Sequence, residues 1–262
     1  MEKKKVLVVT PTLGTRSSLW HTIQSVRLHG GGKVKHVVVC PSEKKSYISK
    51  TYDVDCIAEP IGCKGVFDAV NYVFYLLGKQ YEYITYINDD DYWLPDFSIL
   101  LELIEHTKVD LVYGKVVYER NGKRIRMACS DRFSDFVPLL KCGIVLFTQQ
   151  ATLLRSSVFF AVGGFDVTYK LVADTKLWSV LSLQNISYSY VEKECAVYTY
   201  QEGQLSSNKE LQKREHILLN AQLPNYASLN MLLATARFRI HNLPVYMKRI
   251  GCLVYNNLVV RE

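Results

Sequence analysis

Three consecutive carboxylates, Asp89, Asp90 and Asp91, follow Asn88 where the apolar run Tyr83 to Ile87 stops and before Pro95 opens a helix. Like charges crowded into one short loop repel, and a cation relieves the repulsion. Carboxylate oxygens are hard donors that suit a divalent metal, and the carboxyl end of a strand in an α/β sheet is where ligands bind. A metal at that edge points to phosphate chemistry. The same residue types also serve as turn and capping chemistry, so the loop alone leaves both readings open. A further acid, Asp174, stands near the start of a helix expected over Ala173 to Leu183, in which Leu177, Val180 and Leu181 face the core with Trp178 alongside. Taken by itself, an acid at that place is a helix cap.

The elements that must position these acids alternate. Val6 to Thr10 reads as a buried strand stopped by Pro11, Leu19, Ile23 and Val26 mark a helix face, and Lys35 to Cys40 is a second strand stopped by Pro41. Asp53 to Glu59 reads as a short third strand. Phe67, Val70, Phe74 and Leu77 form one face of a helix ended by Gly78, and Glu82 to Ile87 delivers the acidic loop. Beyond it the pattern predicts a helix from Pro95 to about His106, a strand from Val109 to Val117 and a hairpin turn at Asn121-Gly122. The second half is less regular, with an apolar strand expected over Ile144 to Phe147 and a helix over Ser156 to Val162 closed by Gly163-Gly164. This order predicts an α/β fold with a mixed, mostly parallel central sheet flanked by helices, followed by a helical tail. The expected organisation is a domain over 1–208, divided into a nucleotide-binding half (1–120) and a second half (121–208), and an extension over 209–262. Glu202 to Asn208 is the expected linker, able to move over a bound ligand.

With 262 residues, 48% of them hydrophobic, the chain can bury a large core. No run of about 18 apolar residues occurs and Met1 to Lys5 leads straight into a strand, so a cytosolic protein is expected. The seven cysteines contain no Cys-x-x-Cys pair and read as free, mostly buried thiols. The six histidines are scattered and take no ligand role. Of the net charge of +7, residues 212–262 supply +5, from seven cations against Glu215 and Glu262. There the cations interleave with Leu229, Leu232, Leu233, Ala236 and Ile240, then Tyr246, Ile250 and Leu253, at helical spacing. That pattern fits a membrane surface better than nucleic acid, the alternative being two amphipathic helices packed on the body.

Several segments in order resemble the family 2 glycosyltransferases of the GT-A (Rossmann-like) fold, in the branch that builds bacterial surface polysaccharides. Val8-Val9-Thr10-Pro11-Thr12 is similar to that family's first strand and Pro-Thr turn. Gly65-Val66-Phe67-Asp68-Ala69-Val70-Asn71 resembles its Gly-Ile-Tyr-Asp-Ala-Met-Asn signature, and Ile87 to Asp91 its Asp-Xaa-Asp-type loop. Gln150-Ala151-Thr152, Gly163-Gly164-Phe165-Asp166, and Ala173-Asp174 through Leu177-Trp178 follow in the family's order. The resemblance spans about residues 4 to 206.

The resemblance implies an inverting transfer of a hexose or N-acetylhexosamine from a nucleotide sugar to a lipid-linked oligosaccharide, at the inner face of the membrane. Asp90 would bind Mn²⁺ or Mg²⁺ bridging the donor diphosphate, with Asp89 towards the ribose and Asp91 in support. Asp174 would be the catalytic base. Pro11, Thr12 and Asp68 would line the nucleoside pocket, and Gln149, Gln150 and Trp178 would face the sugar or acceptor. The pattern departs from the family at Cys40-Pro41-Ser42-Glu43, where an Asp that reads uracil is usual. Either Ser42 or Glu43 substitutes or the nucleotide is not uridine, although a UDP-sugar is favoured. Gln149 replaces a frequent His and neither titrates near neutral pH nor ligates a metal readily. Three other readings compete with this one. Leu13-Gly14-Thr15-Arg16 resembles the phosphate loop of sugar-nucleotide pyrophosphorylases but lacks the preceding glycines and the following Pro and Lys, and a non-catalytic binding module would not need both Asp90 and Asp174. A glycoside hydrolase pairing Asp90 with Asp174 would not need three clustered acids.

Overall fold

The computed structural model describes residues 5–201, 204 and 207–249. The first half runs β1 (Val6–Pro11), α1 (Leu19–Gly30), β2 (Val34–Cys40), α2 (Ser42–Tyr52), β3 (Asp55–Ala58), α3 (Val66–Leu77) and β4 (Tyr83–Tyr86). All six residues of β1 are buried, as a strand covered on both faces requires. β1 pairs in parallel with β2 and with β4, and β2 with β3, which sets the order β3-β2-β1-β4. The chain therefore steps outward from β1 and then returns to its other side. The crevice at the carboxyl ends of β1 and β4 is the switch point at which such sheets bind ligands. Pro11 closes β1 there, and Asn88 to Asp91 follow β4 there.

The second half adds β5 (Tyr92–Trp93), α4 (Phe97–His106), β6 (Leu111–Arg120), β7 (Lys123–Arg126), α5 (Phe136–Lys141), β8 (Thr152–Arg155), α6 (Ser156–Ala161), α7 (Ala173–Ser182), β9 (Tyr188–Tyr200), α8 (Lys209–Gln222) and α9 (Ser228–His241). β8 lies antiparallel between β4 and β6, β9 runs parallel to β6, and β5 closes antiparallel on β9. Asn121 and Gly122, at φ +50° and +71°, make the tight turn that sets Arg120 opposite Lys123 in the β6–β7 hairpin. The main core joins Phe67, Val70 and Phe74 of α3 to Leu7, Val9, Phe159, Phe165 and Trp178, and it takes in Leu219, Ala234 and Phe238 from the last two helices.

Three elements differ from the sequence-based expectation. Residues 144–147 are not a strand. They run without ladder partners, and they are apolar because the loop plugs the core, with Phe147 stacked 4.4 Å from Tyr113. The strand that fills the sheet is instead β8. The expected third strand starts later, because Asp53, in the left-handed region at φ +48°, caps α2. That helix buries only Ile48 and so carries no apolar stripe. Among the six described cysteines, all free, Cys40, Cys129 and Cys195 are buried.

The described part of the tail is apolar on two sides. α9 turns Ala234 and Phe238 inward, and Arg237 forks onto Asp135 at 2.9 and 3.1 Å. Its outer face carries Leu229, Leu232, Leu233 and Ile240 at 63, 64, 45 and 74% exposure, and Leu243 and Met247 continue the stripe along the helical segment 243–249. Ile250 and Leu253 lie outside the described residues. Among the described residues no helix is long and apolar enough to cross a membrane.

Candidate active site

The acidic loop divides its three carboxylates between two tasks. Asp91 is fully buried behind the loop. Its Oδ2 accepts Gln150 Nε2 at 2.9 Å, its Oδ1 accepts the Thr199 N–H at 2.8 Å, and Thr22 Oγ1 donates to its carbonyl at 2.7 Å. Burial, with the neighbouring Asp90 charge adding, pushes the Asp91 carboxyl well above the usual carboxylate range. Asp91 thus pins the loop to β9 and α1 and does not line the cleft, unlike Asp89 and Asp90. Asp89 accepts Thr12 Oγ1 at 2.6 Å and Arg16 Nη1 at 2.9 Å. The same Nη1 donates to Asp90 Oδ2, which also accepts Gln204 Nε2 at 2.6 Å. Burial raises the Asp90 carboxyl and Asp89 adds to the rise, against the opposing pull of Arg16 and Gln204.

Asp174 lines the same cleft. A segment preceding it is held by two long-range clamps. Asn71 of α3 donates Nδ2 to the Phe165 carbonyl at 2.8 Å and accepts the Phe165 N–H on Oδ1 at 3.0 Å. Glu215 of α8, itself buried, takes the backbone N–H groups of Lys170, Leu171 and Val172 at 2.7, 2.8 and 3.2 Å. Three donors of one backbone turn are thereby satisfied by one carboxylate, which leaves α7 a fixed starting point. The Thr175 N–H and hydroxyl both donate to Asp174 Oδ1, at 2.6 and 3.3 Å, so Oδ2 is the oxygen left for a ligand. Burial pushes the Asp174 carboxyl up to about 6, against the opposing Thr175 hydrogen bonds. A carboxyl at that value is ionised at neutral pH yet is a stronger base than an exposed Asp.

The cleft holds about 390 Å³ and gathers Pro11, Asp89, Asp90, Gln149, Gln150 and Asp174 from the expected set. Gln149 is buried with both amide atoms unpartnered among the described residues, and so is Gln150 Oε1. Such groups cost free energy unless a ligand satisfies them. Thr12 stands one layer back, holding Asp89 and accepting the Gly14 N–H at 2.9 Å. Asp68 lines a neighbouring hollow of about 230 Å³ and accepts, at 2.9 Å, the N–H of Lys64 in the segment just ahead of its own helix. Trp178 does not face the cleft. It is packed in the core 5.5 Å from Phe147, because the α7 face that carries it is the buried one. Ser42 and Glu43 open α2 and line no part of the cleft. The cleft also contains Arg16, Lys170, Gln204, Gln212 and His216, none of which the sequence reading placed there. Burial lowers the His216 imidazole, with Glu215 opposing.

No family model and no curated protein matches the chain. Solved structures do. S. aureus TarS 1-349 in complex with UDP-GlcNAc superposes with a TM-score of 0.63 at 14% identity, over 92% of this chain and 73% of that one. A mannosyltransferase from Pyrobaculum calidifontis, in complex with GDP-Man and Mn²⁺, gives 0.59 at 14% identity over 97% and 76%. Glucosyl-3-phosphoglycerate synthase from Mycobacterium tuberculosis, with Mn²⁺, UDP and glucosyl-3-phosphoglycerate, gives 0.54 at 14% identity over 85% and 81%. The chain has the GT-A glycosyltransferase fold.

In this GT-A chain the donor set fits a divalent cation held jointly with a ligand. Among the described residues no three His, Cys, Asp or Glu side chains gather into an all-protein cage. Asp89 and Asp90 nevertheless present oxygen donors to the cleft, and their charge already draws a guanidinium between them. Mg²⁺ and Mn²⁺ accept such a site, with one or two carboxylates completed by substrate phosphates.

Proposed function

We propose that the chain is an inverting, metal-dependent glycosyltransferase. It moves a hexose or N-acetylhexosamine from a nucleotide sugar, a UDP-sugar being favoured, to a lipid-linked oligosaccharide in O-antigen, capsule or exopolysaccharide synthesis. The observation that carries the reading is the meeting, in one cleft, of the acidic pair Asp89–Asp90 with a carboxyl raised to about 6 at Asp174, from sequence positions some 84 residues apart (174 against 90). The acidic pair would hold Mn²⁺ or Mg²⁺, and that cation, when bound, neutralises charge developing on the leaving diphosphate. Pro11 and the neighbouring hollow with Asp68 offer room for the nucleoside, and Gln149 and Gln150 offer buried amides to sugar hydroxyls. Asp174 Oδ2 takes the proton of the acceptor hydroxyl as that oxygen attacks the anomeric carbon from the face opposite the diphosphate, which inverts the configuration.

The acceptor and location rest on the tail. The outer stripe Leu229, Leu232, Leu233, Ile240, Leu243 and Met247 stands beside exposed Arg239 and Lys248, and Lys213 and Arg214 flank exposed Ile217 and Leu218 on α8. Each leucine buried in lipid contributes about 1.5–3 kcal/mol, and each cation about 1 kcal/mol near an anionic leaflet. This supports a peripheral site on the inner face of the cytoplasmic membrane, where a lipid-linked acceptor lies. Calorimetric titration of UDP, GDP and dTDP, with Mn²⁺ and then with EDTA, tests the donor reading. Binding of UDP only with the metal is expected, and no nucleotide binding under any condition would refute it.

A further inference from the structure

Arg16 takes no part in the chemistry set out above, yet it contacts two carboxylates of the cleft at once. It lies on the turn between β1 and α1. Gly14, at φ +69° and packed so that a Cβ would lie 3.0 Å from Ile48 Cδ1, bends that turn, and Thr12 Oγ1 staples it through the Gly14 N–H. A single nitrogen, Nη1, then reaches both Asp89 Oδ1 and Asp90 Oδ2, while Gln204 Nε2 shares the latter oxygen and also donates to the Thr199 carbonyl at 2.8 Å. The side chain lines the cleft and is one-third exposed, at 33%, so it can swing away from the two carboxylates within the cleft without crossing the core.

We propose that Arg16 is the resident counter-ion which a divalent cation must displace from Asp89 and Asp90, and that the displaced guanidinium then grips the donor's diphosphate. The proposal rests on the nucleotide-sugar reading for the identity of the donor, but not for the competition itself. A metal on the oxygens that Nη1 now contacts would stand a few ångströms from the guanidinium, and like charges that close repel, so metal and Arg16 compete for those carboxylates. A guanidinium released into the same cleft is a planar fork matched to phosphate oxygens. Metal and diphosphate then help each other bind, because the metal frees the arginine and the diphosphate offers it a new partner. Gln204, donating to the same Asp90 oxygen, moves with the exchange.

The test uses the full chain, Mn²⁺ followed by its electron paramagnetic resonance signal, and inorganic pyrophosphate as a diphosphate without a base. Arg16→Gln and Arg16→Lys are compared with the natural protein, with thermal melts checking that each folds. Arg16→Gln is expected to bind Mn²⁺ alone about ten-fold more tightly, the size expected for removing one competing charge-assisted contact. Its enhancement of Mn²⁺ binding by pyrophosphate is expected to shrink by a similar factor, whereas Arg16→Lys keeps the competition for Mn²⁺ and loses part of the grip on pyrophosphate. Unchanged Mn²⁺ affinity in Arg16→Gln overturns the proposal, as does an undiminished pyrophosphate enhancement. If Mn²⁺ and pyrophosphate behave as expected but no nucleoside diphosphate binds, the nucleotide-sugar reading fails and the role of Arg16 stands.

Discussion

Replacing Asp174 by Asn should stabilise the protein, and by an amount that depends on pH. The carboxyl is raised to about 6 when folded, against 3.8 as the reference value. Between those values the folded chain binds the proton more tightly than the unfolded chain does, so stability falls as pH rises through the window. The full penalty is present above the folded value and amounts to about 3 kcal/mol, from 1.36 kcal/mol for each unit of difference. At pH 4.5 the folded carboxyl keeps its proton and the penalty is only about 1 kcal/mol. Asn keeps the oxygen that accepts from Thr175 and removes the ionisation. The gain of Asp174→Asn over the natural protein should therefore grow by about 2 kcal/mol between pH 4.5 and pH 8, measured by urea unfolding in matched buffers. In a thermal melt the gain at pH 8 is worth about 5 °C for a chain of this size. The natural protein should also show kcat/KM rising with pH through about 6, and the variant should lose transfer while still binding nucleotide. A gain in stability that does not change with pH would refute the placement of an ionised Asp174 in a desolvated cleft.

Other consequences can be checked with the same preparations. Asp91→Ala leaves the Gln150 amide and the Thr199 N–H without their acceptor in a fully buried place, and should cost about 3 kcal/mol in urea unfolding. Asn71→Ala breaks both bonds to Phe165, and should cost about 2 kcal/mol and lower kcat, because the segment that leads to Asp174 loses its clamp. Leu232→Glu combined with Ile240→Glu should leave the melting temperature unchanged and abolish flotation with anionic liposomes. Natural protein that stays in the soluble fraction at low salt would rule out the membrane surface.

The residues that meet in the cleft were unequally visible in the sequence. Gln149 and Gln150 carry no local mark and stand out only through the family resemblance. Asp89 to Asp91 and Asp174 stand out because local chemistry marks them: a strand that stops, a turn that follows, and acids where a helix begins. The parallel half of the sheet was legible for the same reason, since strands buried on both faces leave continuous apolar runs. The Asn121-Gly122 turn was legible because few dipeptides accept positive φ twice. Local patterning failed where a residue's partner is remote. Phe147 is apolar as a core plug rather than as a strand, and α2 buries one residue and shows no stripe. Trp178 carries a family position but packs inward.

By itself the sequence determined the period of each element and the chemistry placed at its ends, because both depend on neighbours a few residues apart. Only the tertiary structure decided that Asp91 supports the loop while Asp89 and Asp90 face the cleft, that Arg16 bridges those two across 73 and 74 positions, and that Gln204 reaches Asp90 across 114. It also decided that Glu215 holds the backbone ahead of Asp174 and that the leucines of α9 point away from the body. These facts follow from strand order and helix docking. The carboxyl ends of β1 and β4 become neighbours only when the sheet reverses between them, and no spacing along the chain encodes which side chains that reversal brings together.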